Sequence, residues 1–339
     1  MLRIGVIGCG YWGPNLIRDF SELENAEITA LCDQDGSKLK RFKKRFSGAL
    51  FTKDPKDLFR SKSVDAVAIA TPASTHYALA KEAFASGKHV LVEKPLTFDV
   101  SEALELIDEA KSARKILMVG HTFEFNPAVI KIKELIESGE LGKIYYITSR
   151  RLNLGIIREN LNALWNLAPH DISILNFITG KMPLKVKAWG GSFLKTGRED
   201  LAFINITYPE GIIANVHVSW LDPLKVREAV IVGSKKMVLY DDVDNEARIK
   251  IYDKGADKHA SSESGSGFAD FQIKLRAGDL VVPRIDMTEP LKQECRHFVD
   301  CAINDKTPKT DGENGLRVVK VLNAAAESLK TGGTEIRIK

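Results

Sequence analysis

Short apolar runs alternate with amphipathic segments over the first third of the chain. Ile4-Gly5-Val6-Ile7 and residues 27–32, 65–71, 89–93 and 116–120 read as buried parallel strands, and 3.6-residue periodicity at 14–23, 75–86 and 99–113 predicts helices between them. That rhythm demands right-handed crossovers and a doubly wound parallel sheet, whose ligand crevice lies outside the carboxyl ends of its strands. Beyond Gly120 the pattern changes. Helices are expected at about 127–138 and 169–178, a strand at about 144–151, and a hairpin where residues 202–208 and 212–218 alternate on either side of Pro209-Glu210-Gly211. Helices at about 288–304 and 312–331 and a strand at 334–338 close the chain, and the Ser/Gly-rich stretch 261–267 reads as a surface loop. The expected architecture is α/β: an N-terminal Rossmann-type sheet over 1–121, then an α+β domain over 122–339 with a mostly antiparallel, open-faced sheet. The open face calls for a cover, which a homo-oligomer, dimer or tetramer, supplies.

The 339-residue length suits two domains, and 44% hydrophobic with 28% charged residues is ordinary for a globular protein. The net charge of +4 is spread along the sequence with no basic block and no interleaved aromatics, which gives nucleic-acid binding no support. No apolar run approaches the ~18 residues of a membrane span and no secretory leader pattern opens the chain, so a cytoplasmic location is expected. Cys9, Cys32, Cys295 and Cys301 form no CxxC pair and have no histidine at metal spacing; they read as reduced, buried thiols, and no metal is expected.

The first strand ends in Gly8-Cys9-Gly10-Tyr11-Trp12-Gly13. In a G-x-G-x-x-G loop the first glycine permits the tight turn, the second lets the backbone approach a diphosphate, and the third lets the following helix pack close. Pro14 suits the first helical position. Asp33, at the end of the second strand, stands about twenty residues on, where a carboxylate accepts hydrogen bonds from the adenosine ribose. The cofactor expected is NAD, with NADP the lesser alternative because a carboxylate there repels a 2′-phosphate; Arg41, Lys43 and Lys44 read as a solvated helix face.

Two clusters can do chemistry. Lys94 follows a buried strand between Glu93 and Pro95 at the crevice edge, where an ammonium can stabilise a developing alkoxide. Thr71 and Pro72 fall at another such strand end. In Trp165-Asn166-Leu167-Ala168-Pro169-His170, Asn166 and His170 share a helix face if the helix begins near Asn166, and Pro169 is then confined to its first turn. Imidazole suits removal of an alcohol proton near neutral pH, although an inward histidine equally fits a core role. Arg150, Arg151 and Arg158 precede that helix. Guanidinium forks suit a diphosphate, and a solvated strand edge is the plainer alternative.

The glycine loop, Ala70-Thr71-Pro72 with Thr75-His76, Gly87-Lys88-His89-Val90-Leu91-Val92-Glu93-Lys94-Pro95-Leu96, and Val119-Gly120-His121 through Phe125-Asn126-Pro127 together resemble the Gfo/Idh/MocA family of sugar and cyclitol dehydrogenases, over essentially the whole chain. The resemblance implies that Lys94 and His170 work on the substrate hydroxyl. It further implies that Tyr11, Trp12, Thr71, Pro72, His76, Glu93 and Lys94 line the cofactor with Gly8, Gly10, Gly13 and Asp33. Many members carry Asp four residues before the histidine; here Asn166 stands there, and an amide can orient a hydroxyl but cannot accept its proton. Gly10-Tyr11-Trp12-Gly13-Pro14-Asn15-Leu16, with Trp220-Leu221-Asp222-Pro223, Lys225 and Arg227, resembles nucleotide-sugar 3-dehydrogenases. That implies a UDP-N-acetylhexosamine-like substrate held by Arg151, Arg158, Asn166, His170, Lys225 and Arg227. A free polyol or hexose such as inositol or glucose, or a non-catalytic NAD-binding regulator, are the alternatives.

Overall fold

The computed structural model describes residues 1–155, 157, 160–259 and 272–338; Arg158 and the 261–267 stretch lie outside the described residues. From the N-terminus the elements are β1 (Leu2–Ile7), α1 (Gly13–Ser21), β2 (Ala26–Cys32), α2 (Gly36–Lys40), β3 (Leu50–Thr52), α3 (Pro55–Arg60), β4 (Ala66–Ile69), α4 (His76–Ala85), β5 (His89–Glu93), α5 (Val100–Ala113) and β6 (Leu117–Gly120). Then come α6 (Pro127–Glu137), β7 (Ile144–Leu152), α7 (Ala163–Thr179), β8 (Lys185–Gly191), β9 (Leu201–Thr207), β10 (Ile213–Ser219), β11 (Val226–Gly233), β12 (Met237–Asp241), β13 (Ile249–His259), β14 (Gln272–Val281), α8 (Pro290–Asn304), α9 (Gly312–Lys330) and β15 (Ile336–Arg337).

The chain divides into two compact units: Met1–Asn126 with Thr288–Asn323, and Pro127–Met287 with Ala324–Lys339. In the first, all strands run parallel in the order β3-β2-β1-β4-β5-β6. Alternate residues of each strand enter opposite layers. Val67, Ile69, Val90, Val92, Leu117 and Val119 pack with Ala80 and Phe84 of α4 and Leu106 of α5. Ala66, Ala68, Leu91 and Met118 pack with Leu16 and Phe20 of α1 and with Leu291, Cys295 and Phe298 of α8. This corrects the expected cut at 121/122: on one face of the sheet α1 is joined by Leu39 of α2 from the N-terminal stretch and by α8 from the far end of the chain. Aspartates start the helices where strands hand over, Asp35 Oδ1 accepting from Ser37 N at 2.9 Å and Asp99 Oδ1 from Ser101 N at 2.7 Å.

The second unit holds a nine-stranded sheet, β14-β13-β12-β11-β7-β10-β9-β8-β15, antiparallel except for the β7–β10 pair. The hairpin β9–β10 turns through Pro209–Gly211, with Glu210 and Gly211 at positive φ (61° and 78°). One face, including Ile147, Ile204, Ala214 and Val216, is buried and packs on α7, itself paired with α6. Residues of the opposite parity form cross-strand rows such as Trp189-Phe203-His217-Arg150-Glu228, in which Phe203 and His217 stack at 4.3 Å. That face is open, with Tyr146, Trp189 and Ile213 exposed.

The expected helix start at 166–169 is also corrected. Asn162 caps α7 by accepting from Trp165 N at 3.0 Å, and the helix runs from Ala163 with Pro169 in its interior. Proline there withholds the N–H that residue 165's carbonyl would receive, a cost offset by burying one whole side of the helix, Leu164, Ala168, Ile172 and Leu175 included.

Candidate active site

In the first unit the strand ends gather the sequence-predicted cofactor residues. Gly8 has φ +96°, and a Cβ there would lie 2.6 Å from Ala70 O; a Cβ on Gly13 would lie 1.8 Å from Gly8 O. Both positions therefore require glycine for the turn and the helix approach. A Cβ on Gly10 would meet nothing within 4 Å: this glycine keeps space clear on the outer side of the loop. The following helix α1 has no side-chain cap on its N-terminus: Trp12 stands at the cap position, Pro14 has no N–H and Asn15 N donates to Trp12 O at 2.9 Å, so the Gly13 N–H and the helix dipole are what this end offers an anion. Asp33 is buried and accepts from Cys9 N at 2.8 Å and Asp35 N at 2.9 Å. The space at Gly10, the uncapped helix and the carboxylate at the β2 end fit a dinucleotide: loop and helix amides to the diphosphate, Asp33 to a ribose. Tyr11 is exposed, and Trp12 is half-buried against the layer under β1.

At the next strand ends, Thr71 and Thr75 share a hydroxyl hydrogen bond of 2.6 Å, and Pro72 is exposed. His76 takes a different position from the one expected. It is buried, Nδ1 is 2.8 Å from Pro95 O and Nε2 is 3.0 Å from Thr71 O, so the ring braces the loops after β4 and β5 from beneath rather than lining the crevice. Burial lowers its pKa, with the Lys94 charge adding to the effect. A neutral ring donates to only one of the two carbonyls.

Glu93 ends β5 and Lys94 follows it, joined to Pro95 by a cis peptide bond. The Glu93 carboxyl packs over Gly120, where a Cβ would lie 3.1 Å from it, and desolvation pushes its pKa up to about 7 against the opposing pull of Lys94.

His121, Asn314 and Glu124 form a chain that the sequence reading missed. Asn314 Nδ2 donates to Glu124 Oε1 and Oε2 at 3.0 and 3.2 Å, and its Oδ1 lies 2.6 Å from His121 Nδ1. The carboxylate fixes the amide orientation and the amide fixes the tautomer: Nδ1 carries the proton and Nε2 is an acceptor. Burial, against the Asn314 hydrogen bond and with help from Lys94, lowers the His121 pKa to about 4. No sequence signal could link residues 193 apart.

In the second unit, Ser219 pairs with Leu152 and Leu201, Leu201 with Gly191, and Leu152 with Val226. The connections after β7, β8 and β10 therefore leave the same end of the sheet. The N-terminus of α7 is tied there, Ala163 N to Glu199 O at 2.8 Å and Asn162 Nδ2 to Glu199 Oε2 at 2.7 Å. Asn166 accepts from Trp220 Nε1 at 3.3 Å, and His170, one turn on, shares its helix face. Lys225 is exposed at this end, and Arg227 lies 3.6 Å from Asp242.

Two of the three arginines expected to face a diphosphate are engaged elsewhere. Arg151 is buried and donates through Nε to Asp171 Oδ2 at 2.6 Å; Arg150, on the open face, donates through Nε to Glu228 Oε1 at 2.7 Å. Ser149 and Arg151 share the helix-facing parity of β7, and Ser149 Oγ donates to Asp171 Oδ1 at 2.8 Å, so the strand hands its polar groups to α7. The reading of Arg151 as a ligand contact gives way to a structural one.

Residues 2–121 match the oxidoreductase family with an NAD-binding Rossmann fold, and residues 129–239 match the GFO/IDH/MocA C-terminal domain. The chain belongs to the Gfo/Idh/MocA oxidoreductase family. Among its relatives, a myo-inositol 2-dehydrogenase of Thermotoga maritima is 26% identical over 97% of this chain and 96% of that protein. A UDP-N-acetylglucosamine 3-dehydrogenase of Acidithiobacillus ferrooxidans is 28% identical over 75% of this chain and 78% of that one. The WlbA dehydrogenase of Bordetella pertussis, solved with NADH and UDP-GlcNAcA, superposes with a TM-score of 0.80 at 21% identity, covering 100% of this chain and 99% of the other, and so shares the fold. As a member of this family the chain is an oxidoreductase whose Rossmann unit binds NAD. Among the described residues no group of histidine, cysteine or carboxylate side chains is arranged to hold a metal, and no helix is long and apolar enough to cross a membrane.

Proposed function

We propose that this oxidoreductase is a dehydrogenase of sugar ring C–H(OH) groups acting on a nucleotide-activated sugar of the UDP-N-acetylhexosamine type. The observation that carries the dehydrogenase reading is Lys94 at the carboxyl end of β5, its loop braced by His76 and flanked by His121 in a fixed tautomer. Bound NAD supplies the hydride acceptor. Lys94 fixes and polarises the substrate hydroxyl, His170 takes its proton, and Asn166 orients a neighbouring hydroxyl. The Gly8–Gly13 loop and Asp33 hold the dinucleotide, and Glu93, Thr71 and Pro72 border its nicotinamide end. The relative from Acidithiobacillus ferrooxidans supports the nucleotide-sugar reading. Lys225 and Arg227, with Arg158 beyond the described residues, carry the diphosphate contact.

A second reading, a free cyclitol as substrate, is favoured by the ion pairing of Arg150 and Arg151, which leaves fewer cations for a diphosphate, and by the inositol dehydrogenase among the relatives. Absorbance of reduced cofactor decides between them, with the protein and NAD given UDP-N-acetylglucosamine, its uronate, myo-inositol or glucose in parallel, with and without a 2-oxo acid acceptor. Reduction with a UDP-sugar, abolished in Lys94→Ala while NAD still binds, is the expected result. Reduction with inositol or glucose alone replaces the nucleotide sugar by the free one, and full turnover in Lys94→Ala removes the lysine from the mechanism.

A further inference from the structure

The start of α9 is laid against the edge strand β6. Val119 N donates to Thr310 O and Thr310 Oγ1 donates to Val119 O, both at 2.8 Å. Gly312 and Gly315 permit the approach: a Cβ at Gly312 would lie 2.7 Å from Ile107 and 2.8 Å from Leu117, and one at Gly315 would lie 2.8 Å from Val119 and 2.9 Å from Leu96. Asp311 caps the helix by accepting from Asn314 N at 2.8 Å. The Asn314 side chain is thereby delivered to the end of β6, where its Oδ1 accepts from His121 Nδ1 at 2.6 Å and its Nδ2 donates to both oxygens of Glu124.

The far end of this chain of hydrogen bonds is an acceptor with nothing to accept. His121 is buried, and its Nε2 has no hydrogen-bond partner among the described residues. Leaving a buried acceptor unpaired costs about 1–3 kcal/mol, and one held in place by two further residues calls for a donor. Lys94 is the donor at hand. Glu93 pairs with Gly120 across β5 and β6, so Lys94 and His121 are the next residues at adjacent strand ends. Burial, and after it the charge of Lys94, keeps the His121 ring neutral. A lysine at such a place needs holding, because its four-carbon stem carries about 2 kcal/mol of rotamer entropy. A neutral imidazole holds an ammonium through one of its three N–H groups without cancelling its charge, as a carboxylate would. The other N–H groups, with the whole charge, stay available to a substrate oxygen.

We propose that His121 is a positioning residue for Lys94: with the cofactor bound, its Nε2 accepts a hydrogen bond from the Lys94 ammonium, and Asn314 and Glu124 hold the ring in register for it. The proposal rests on the reading of Lys94 as the residue that polarises the substrate hydroxyl. The first test is nitrogen NMR of the full chain, labelled at histidine and bound to NADH, which needs no turnover; the signals lost in His121→Gln identify the ring. We expect Nδ1 protonated and Nε2 bare, with the Nε2 resonance alone moving in Lys94→Met to the position of an acceptor without a donor. Kinetics with whichever sugar reduces the cofactor are the second test. His121→Phe, with NADH affinity unchanged, should lose kcat about tenfold to a hundredfold while KM stays within about threefold, and His121→Gln, whose amide oxygen still accepts, should recover most of the loss. An Nε2 signal indifferent to Lys94→Met, an unchanged kcat in His121→Phe, or equal losses in the two variants overturns the proposal. If no sugar is turned over, the substrate reading fails by itself, and the Nε2 signal alone upholds or overturns the contact.

Discussion

Arg151 on β7 and Asp171 on α7 meet in a buried ion pair, Nε to Oδ2 at 2.6 Å, one residue beyond His170. Taking two charges out of water is costly, and removing one partner leaves the other uncompensated, a loss of about 3–5 kcal/mol. We therefore predict that Arg151→Ala and Asp171→Asn each lower the unfolding midpoint strongly, whereas the apolar double variant Arg151→Met/Asp171→Leu recovers most of the stability. Chemical denaturation measures this. A normal midpoint in Arg151→Ala together with a raised KM for a UDP-sugar alone would return Arg151 to the substrate.

The Arg151–Asp171 pair shows where sequence reading runs out. Glycines act locally, so Gly8 and Gly13 could be assigned to turn and helix approach from spacing alone, and the β–α alternation gave the parallel sheet. The parity of β7 was also available: Ile147 and Arg151 are four apart and so share a face, which would have turned Arg151 inward. Its partner lies 20 residues on, in the next helix, and nothing in periodicity names it. The return of α8 to the first unit was hidden for a related reason, because Leu291, Cys295 and Phe298 give a helical stripe without saying which sheet it covers. Pro169 misled because a proline normally marks a helix start, and tertiary burial overrode it.

The His121 imidazole sets a pH dependence of stability. Its pKa falls from 6.5 to about 4 on folding, chiefly by desolvation. Between those values the unfolded chain holds a proton on this residue and the folded chain does not. Its contribution is therefore fully present above pH 6.5 and drains as pH falls towards 4, by on the order of 3 kcal/mol. Buried Asp19 and Glu294, whose pKa values are raised by desolvation, act in the opposite sense. The difference between wild type and His121→Gln isolates the histidine: unfolding free energies from pH 8 to 4.5 should converge as the pH falls. Parallel curves would show that His121 is not neutral in the fold.

Glu93 offers a signature in binding. Its carboxyl is pushed up to about 7 by desolvation, with Lys94 opposing, so it is mostly neutral at pH 6 and mostly charged at pH 8. The oxidised nicotinamide carries a positive charge and the reduced one does not. If Glu93 borders that ring, affinity for NAD should rise about threefold to tenfold through pH 7 while affinity for NADH changes little. Fluorescence titration of both cofactors tests this. The rise should vanish in Glu93→Gln, and an equal pH response of both cofactors would move Glu93 away from the nicotinamide.

Gly10 and Gly13 separate cofactor space from fold space within one loop. A methyl group at Gly13 would lie 1.8 Å from Gly8 O, a backbone atom that cannot yield without opening the turn, so Gly13→Ala should lower the unfolding midpoint by several degrees and reduce NAD binding with it. At Gly10 the same methyl meets nothing within 4 Å, so the fold has no reason to object. The diphosphate has, if its oxygens come to the backbone there. Gly10→Ala should melt with wild type and yet bind NAD at least tenfold more weakly, the loss of about 1.4 kcal/mol or more expected when van der Waals contact displaces charge-assisted hydrogen bonds. Thermal melts and cofactor titrations on the two variants give the answer directly: wild-type NAD affinity in Gly10→Ala would mean that the diphosphate does not lie against this glycine, and the open space beside it would belong to solvent.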